Sequence, residues 1–95
     1  MEALEIARFR VSPEREVEMQ EKRETAVEAL RRECPGLVSA QLARLDDRTW
    51  LDLFVWTSRE AAEAAAARAP EIPEAAAYFA TLAEVLTMEH ADLVL

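Results

Sequence analysis

One glycine, Gly36, one cysteine, Cys34, and one histidine, His90, are all the chain holds of three residue types on which much protein chemistry depends. A single cysteine closes no disulfide within the chain and builds no thiolate metal cluster. A lone histidine, with no second histidine and no cysteine near it, gives no metal-ligand spacing, so no metal is expected. One glycine cannot supply the several that a phosphate-cradling loop requires. Nothing places His90 beside a serine and an acid, so no Ser-His-Asp hydrolase can be argued. Apolar runs fall short of the roughly 20 residues that a membrane-spanning helix needs. The start, Met1-Glu2-Ala3-Leu4-Glu5, lacks the basic residues and apolar stretch of a secretion signal. A soluble cytoplasmic protein is expected. Positive charge is also short: 11 Lys and Arg face 19 Asp and Glu, a formal net charge of −8. Such a surface repels phosphate backbones and anionic lipids, so neither nucleic acid nor membrane is an expected partner.

What remains is apolar and regular. Hydrophobic residues make up 52% of the 95 and charged ones 32%, which rules out disorder on composition. The length suits one domain, residues 1–95. A domain so short buries only about 60–65% of its unfolded surface, so burial against a partner would matter.

Residues 3–11 read as a first strand, with Leu4, Ile6, Arg8 and Arg10 on one face and Glu5, Ala7, Phe9 and Val11 on the other. Ser12-Pro13-Glu14 opens a helix. The Ser12 hydroxyl is placed to cap it, Pro13 loses no needed N–H, and Glu14 and Glu16 suit the positive end of the dipole. Met19, Ala26, Val27, Leu30 and Cys34 keep helical spacing as far as Pro35-Gly36, which stops it. Residues 37–45 and Thr49–Thr57 read as an antiparallel hairpin about Asp46-Asp47-Arg48. Ser58 is placed to cap an alanine-rich helix from Ala61 to Ala69, whose small side chains permit close packing. Pro70 and Pro73 interrupt it. A further helical piece is expected over about Glu74–Leu86, and a fourth strand over Thr87–Leu95.

The order β-α-β-β-α-β predicts an α+β, ferredoxin-like split β-α-β fold, with a four-stranded antiparallel sheet and helices on one face. Right-handed crossovers put the third strand beside the first and leave the second and fourth outside. The third strand is apolar on both faces. Leu51, Leu53 and Val55 form one set; Trp50, Asp52, Phe54 and Trp56 form the other. The aliphatic set is expected under the helices and the aromatic set on the open face. A bare face carrying three large aromatics predicts a two-fold homodimer that covers it.

Two stretches resemble a known family. Trp56-Thr57-Ser58-Arg59-Glu60-Ala61 is similar to the Trp-x-Ser-x-Glu-Ala turn of the antibiotic biosynthesis monooxygenases, and Pro35-Gly36-Leu37-Val38-Ser39 resembles the stop after their first helix. The resemblance implies a dimeric α/β barrel and, in some members, cofactor-independent oxygenation of polycyclic phenolic or quinone-type compounds. Other members degrade haem, and many have no known activity. Three departures stand out. The asparagine that the oxygenases carry four residues before the tryptophan is Asp52 here. A tyrosine six residues after it falls on Ala62. The histidine of the haem-degrading members has no counterpart in the second helix, where Ala64–Ala67 stand.

Asp52 is the most informative candidate. A carboxylate among aromatic rings has a raised pKa unless it is paired, and as a base it could take a phenolic or carbon-bound proton. The plain alternative is an ion pair with Arg8 or Arg10 on the neighbouring strand. Trp56 is expected as a pocket wall and Arg8 or Arg10 as an anion stabiliser. Trp50 and Phe54 are ligand-stacking candidates or simply interface core. Tyr78 could offer a hydroxyl, and His90 a ligand contact or a solvent-facing side chain. Two functions follow: a cofactor-independent monooxygenase-like enzyme on an aromatic polyketide- or quinol-type small molecule, or a non-catalytic dimeric ligand-binding or stress-associated module. An enclosed cavity of about 300 Å³ or more, with the Asp52 carboxylate exposed inside it, favours the enzyme. A filled interior with Asp52 bonded to arginine favours the module.

Overall fold

The computed structural model describes all residues, Met1–Leu95. Strand β1 (Ala3–Arg10) leads through Ser12 into a short 3₁₀ turn (Pro13–Arg15) and helix α1 (Glu16–Glu33). The hairpin β2 (Leu37–Arg44) and β3 (Thr49–Trp56) follows, then α2 (Arg59–Arg68), a 3₁₀ turn (Ala69–Glu71), α3 (Pro73–Phe79) and β4 (Glu84–Asp92). The sheet is antiparallel with order β2-β3-β1-β4, as the crossover rule requires.

The signals at the element ends have local physical causes. The Ser58 hydroxyl accepts from the Ala61 N–H at 3.0 Å and caps α2. Gly36 takes a φ of +102°, which a side chain rarely adopts. A Cβ there would also lie 2.7 Å from Thr57 Oγ1. The hairpin turn is tied by the Asp46 carboxylate, which accepts from the N–H groups of Arg48 and Thr49 at 2.9 and 2.8 Å. Ser12 differs from its expected role: its carbonyl, not its hydroxyl, accepts at the turn, from the Arg15 N–H at 2.8 Å. The last helix is also shorter than its stripe of apolar residues predicts. The Tyr78 carbonyl accepts from both the N–H and the hydroxyl of Thr81, at 3.0 and 2.7 Å, which closes the helix. Strand β4 therefore begins at Glu84 instead of Thr87.

The larger correction concerns the two sheet faces. Trp50, Asp52, Phe54 and Trp56 are buried, between 1% and 7% exposed, beneath the protomer's own helices. Leu51, Leu53 and Val55 are only partly covered and lie on the open side. The register shows the cause. Trp56, Phe54, Asp52 and Trp50 stand opposite Ala3, Glu5, Ala7 and Phe9, so the buried face of β3 follows that of β1. Aromatic rings fill the deep space over a sheet better than branched aliphatics, and each contributes a few kcal/mol when buried. The aromatic residues therefore form no dimer face; they are core of the protomer. The open face carries Leu4, Ile6, Leu51, Leu53 and Val55 together with Arg8 and Arg10.

The core falls into two parts. One gathers Ala29, Leu30, Phe54, Trp56, Ala62, Ala65, Ile72 and Ala75 between α1, α2 and β3. The other joins Phe9, Val11, Met19, Ala26, Trp50 and Tyr78. The buried alanines of α2 are what let that helix lie close to the sheet. No helix is long and apolar enough to cross a membrane.

Candidate active site

Between sheet and helices lies a cavity of about 200 Å³. Its floor is Glu5, Ala7 and Phe9 from β1, Asp52, Phe54 and Trp56 from β3, and Val85 and Met88 from β4. The roof includes Leu30 of α1, Ala65 and Ala66 of α2, and Ala75, Tyr78 and Phe79 of α3. Short alanine side chains on α2 leave the space that longer ones would fill. Phe79, Val85 and Met88 are 41%, 56% and 51% exposed and form its apolar mouth. Among 19 lining residues, 16 are hydrophobic, so the polar groups that remain define its chemistry.

The first polar group is built around Asp52, which is 2% exposed. Its Oδ1 accepts from Arg23 Nε at 3.1 Å and from the terminal guanidinium nitrogen at 2.8 Å. Its Oδ2 accepts a short hydrogen bond from the Tyr78 hydroxyl. Arg23 reaches in from α1 with its side chain 13% exposed, and its guanidinium lies 5.7 Å from the Phe54 ring centroid, within cation–π range. Burial, and after it the charge of Asp52 beside the hydroxyl, pushes the ionisation of Tyr78 far above the ordinary phenol value. Tyr78 is therefore a fixed neutral donor at physiological pH.

The second group is built around Glu5, which is 7% exposed. Trp56 Nε1 donates to its Oε1 over a long 3.4 Å, and His90 Nε2 lies 3.1 Å from its Oε2. The register sets Glu5 opposite Phe54 on one side and His90 on the other. The three side chains thus share one end of the sheet floor.

Several expected placements change. Asp52 does pair with an arginine, but the arginine is Arg23 of α1. Strand alternation carries Arg8 and Arg10 to the opposite face, where Arg10 lies 3.8 Å from Glu84. Neither reaches the cavity, so neither stabilises an anion within it. Trp50 is buried but does not line the cavity; the Arg44 guanidinium covers its ring at 4.5 Å. Trp56, Phe54 and Tyr78 do line it. His90 stands one layer behind, against Glu5. Sequence reasoning passed over Arg23 and Glu5. Glu5 had a signal: it alternates with Ala7 and Phe9 on the first strand's apolar face, where an acid is out of place. Arg23 had none, being one of several charges along a solvated helix.

The profile of the antibiotic biosynthesis monooxygenase family matches residues 3–77. No curated protein sequence matches. Among solved structures, a Bordetella bronchiseptica protein assigned to that family superposes with a TM-score of 0.81 at 20% identity, covering 99% of this chain and 98% of its own. One from Caulobacter crescentus gives 0.79 at 20%, covering 98% and 90%. SnoaB, a cofactor-independent oxygenase from Streptomyces nogalater, gives 0.67 at 28%, covering 95% and 88%. With the family profile spanning most of the chain and the fold shared end to end, the protein belongs to the antibiotic biosynthesis monooxygenase family.

Proposed function

We propose that the protein is a cofactor-independent monooxygenase that acts on a single-ring, quinol-type compound held in the cavity over the sheet. The observation that carries this reading is the cavity itself, an apolar chamber with two carboxylates in its floor. Its size narrows the substrate. Dry apolar cavities of about 150 Å³ accept benzene, whereas pockets for drug-sized ligands run to about 300–1,000 Å³. A volume near 200 Å³ fits one substituted ring better than a polycyclic polyketide. The similarity to SnoaB supports oxygen chemistry without a bound cofactor.

The reaction class balances without an outside reductant. A quinol and dioxygen give a hydroxylated quinone and water. The quinol supplies the electrons, one oxygen atom enters the ring, and the other leaves as water. The chain's own residues bind the ring against Phe54 and Trp56, exclude water, and present carboxylates that accept hydrogen bonds or protons from its hydroxyls. In this scheme Asp52 acts as an orienter. Arg23 and Tyr78 hold both of its oxygens in place.

Two copies complete the molecule in this reading. The open sheet face is aliphatic, and a second copy placed on it through a two-fold axis covers Leu4, Ile6, Leu51, Leu53 and Val55. Two observations favour the non-catalytic module instead: the cavity volume, near 200 Å³, lies below about 300 Å³, and both Asp52 oxygens are occupied by protein donors. Oxygen consumption with hydroquinone as the only reductant separates the two. Turnover above the spontaneous rate is expected of the enzyme, and binding without turnover is the result that supports the module.

A further inference from the structure

Hydrogen-bond capacity around the cavity is lopsided. The donors that line it are Trp56 Nε1 and the Tyr78 hydroxyl. Both are committed, the first to Glu5 and the second to Asp52. A carboxylate offers about four acceptor sites. Asp52 fills three of them, two with Arg23 and one with Tyr78. Glu5 fills two, one of them through the long bond from Trp56. What a ligand meets is therefore spare acceptor capacity and no free donor, and Glu5 holds most of it. His90, with its side chain 22% exposed, lies 3.1 Å from Oε2 of Glu5 and Trp56 Nε1 donates to Oε1, so each oxygen keeps an acceptor site.

We propose that Glu5, held by His90 and Trp56, reads the hydroxyl hydrogens of the bound ring, so that the cavity retains hydroxylated, reduced rings and rejects rings that carry no donor. Glu5 is then the specificity-determining residue, and the same preference favours the quinol, with two hydroxyl donors, over the hydroxylated quinone product, with one. The inference rests on the cavity being the substrate site and does not depend on oxygen chemistry. A buried charged acceptor left without its donor weakens binding by roughly 10-fold or more. A site built to meet a hydroxyl discriminates strongly against the analogue that lacks it.

The test is anaerobic calorimetry with three ligands of one ring size and falling donor number: hydroquinone, 4-methoxyphenol and 1,4-dimethoxybenzene. The parent protein is expected to bind them in that order, with about 10-fold or more between first and last. In Glu5→Gln the amide must turn either its oxygen or its NH₂ to the cavity, and the spread is expected to shrink to roughly 3-fold or less. A flat series in the parent, an unchanged spread in Glu5→Gln, or no binding at all would each overturn the proposal. If Glu5→Gln fails to fold, the parent series alone decides. A graded series without oxygen uptake would keep this inference and remove the oxygenase reading. Oxygen uptake with a flat series would do the reverse.

Discussion

Replacing Asp52 by alanine should be among the most damaging single substitutions in this protein, and the reason is electrostatic. The side chain is 3% exposed, that of its partner Arg23 is 13% exposed, and Tyr78 is 4% exposed. Removing the carboxylate strands a guanidinium with little access to water and a phenol whose hydroxyl loses its acceptor. Breaking a buried pair from one side costs about 3–5 kcal/mol. A domain of this size has about 5–15 kcal/mol in all. The melting temperature should fall by at least about 12 °C, taking 4 °C per kcal/mol as the low end for small domains. Urea unfolding with linear extrapolation is the assay. The double variant Arg23→Met with Asp52→Leu removes both charges, and should recover most of the loss, because paired apolar replacements are often neutral. A loss below about 1 kcal/mol for Asp52→Ala, or a double variant as unstable as the single one, would refute the reasoning.

Two further outcomes follow from the same structure. The folded protein holds the Tyr78 proton to higher pH than the unfolded chain does. Below the ordinary phenol value near 10 this group leaves stability flat. Above it the unfolded state binds fewer protons, so stability falls with rising pH by up to about 1.4 kcal/mol per unit. The buried Cys34 thiol is shifted the same way, so the Tyr78 share is read as the difference in slope between the parent and Tyr78→Phe; equal slopes would contradict it. On the open face, Leu53→Lys should convert a dimer to a single-copy species in sedimentation, without loss of secondary structure. A parent that sediments as a monomer at micromolar concentration would sink the dimer.

The legible part of this fold was its order and its punctuation. Pro13, Gly36, Ser58 and Pro73 each mark an element boundary through a local backbone requirement, which a reader of the sequence can state without a structure. The two sets of alternating residues on the third strand were legible as sets. Which set lies under the helices was not, because both are apolar and alternation carries no sign. The acid on the apolar face of the first strand, Glu5, breaks the pattern within the sequence itself, but its partners Trp56 and His90 lie 51 and 85 residues away and do not show there. The candidate site divides in the same way. Asp52 and Trp56 stood out through their surroundings and through the family resemblance. The partners of Asp52 come from 29 residues away in α1 and 26 in α3, and no local spacing encodes a contact of that kind. Arg8 and Arg10 drew attention as cations on a neighbouring strand, yet strand geometry sends them to the face opposite Asp52.

The claim at the centre is that a small ring reacts inside the cavity under α2. Ala66 lines the roof and is itself exposed, so Ala66→Trp is expected to set a large ring against the cavity while leaving the fold intact. Oxygen uptake with hydroquinone, compared between the parent and this variant at matched melting temperature, reads the claim directly. The account predicts measurable uptake by the parent and a loss of about 10-fold or more in the variant. Equal rates in the two proteins, or a parent no faster than buffer, would contradict it.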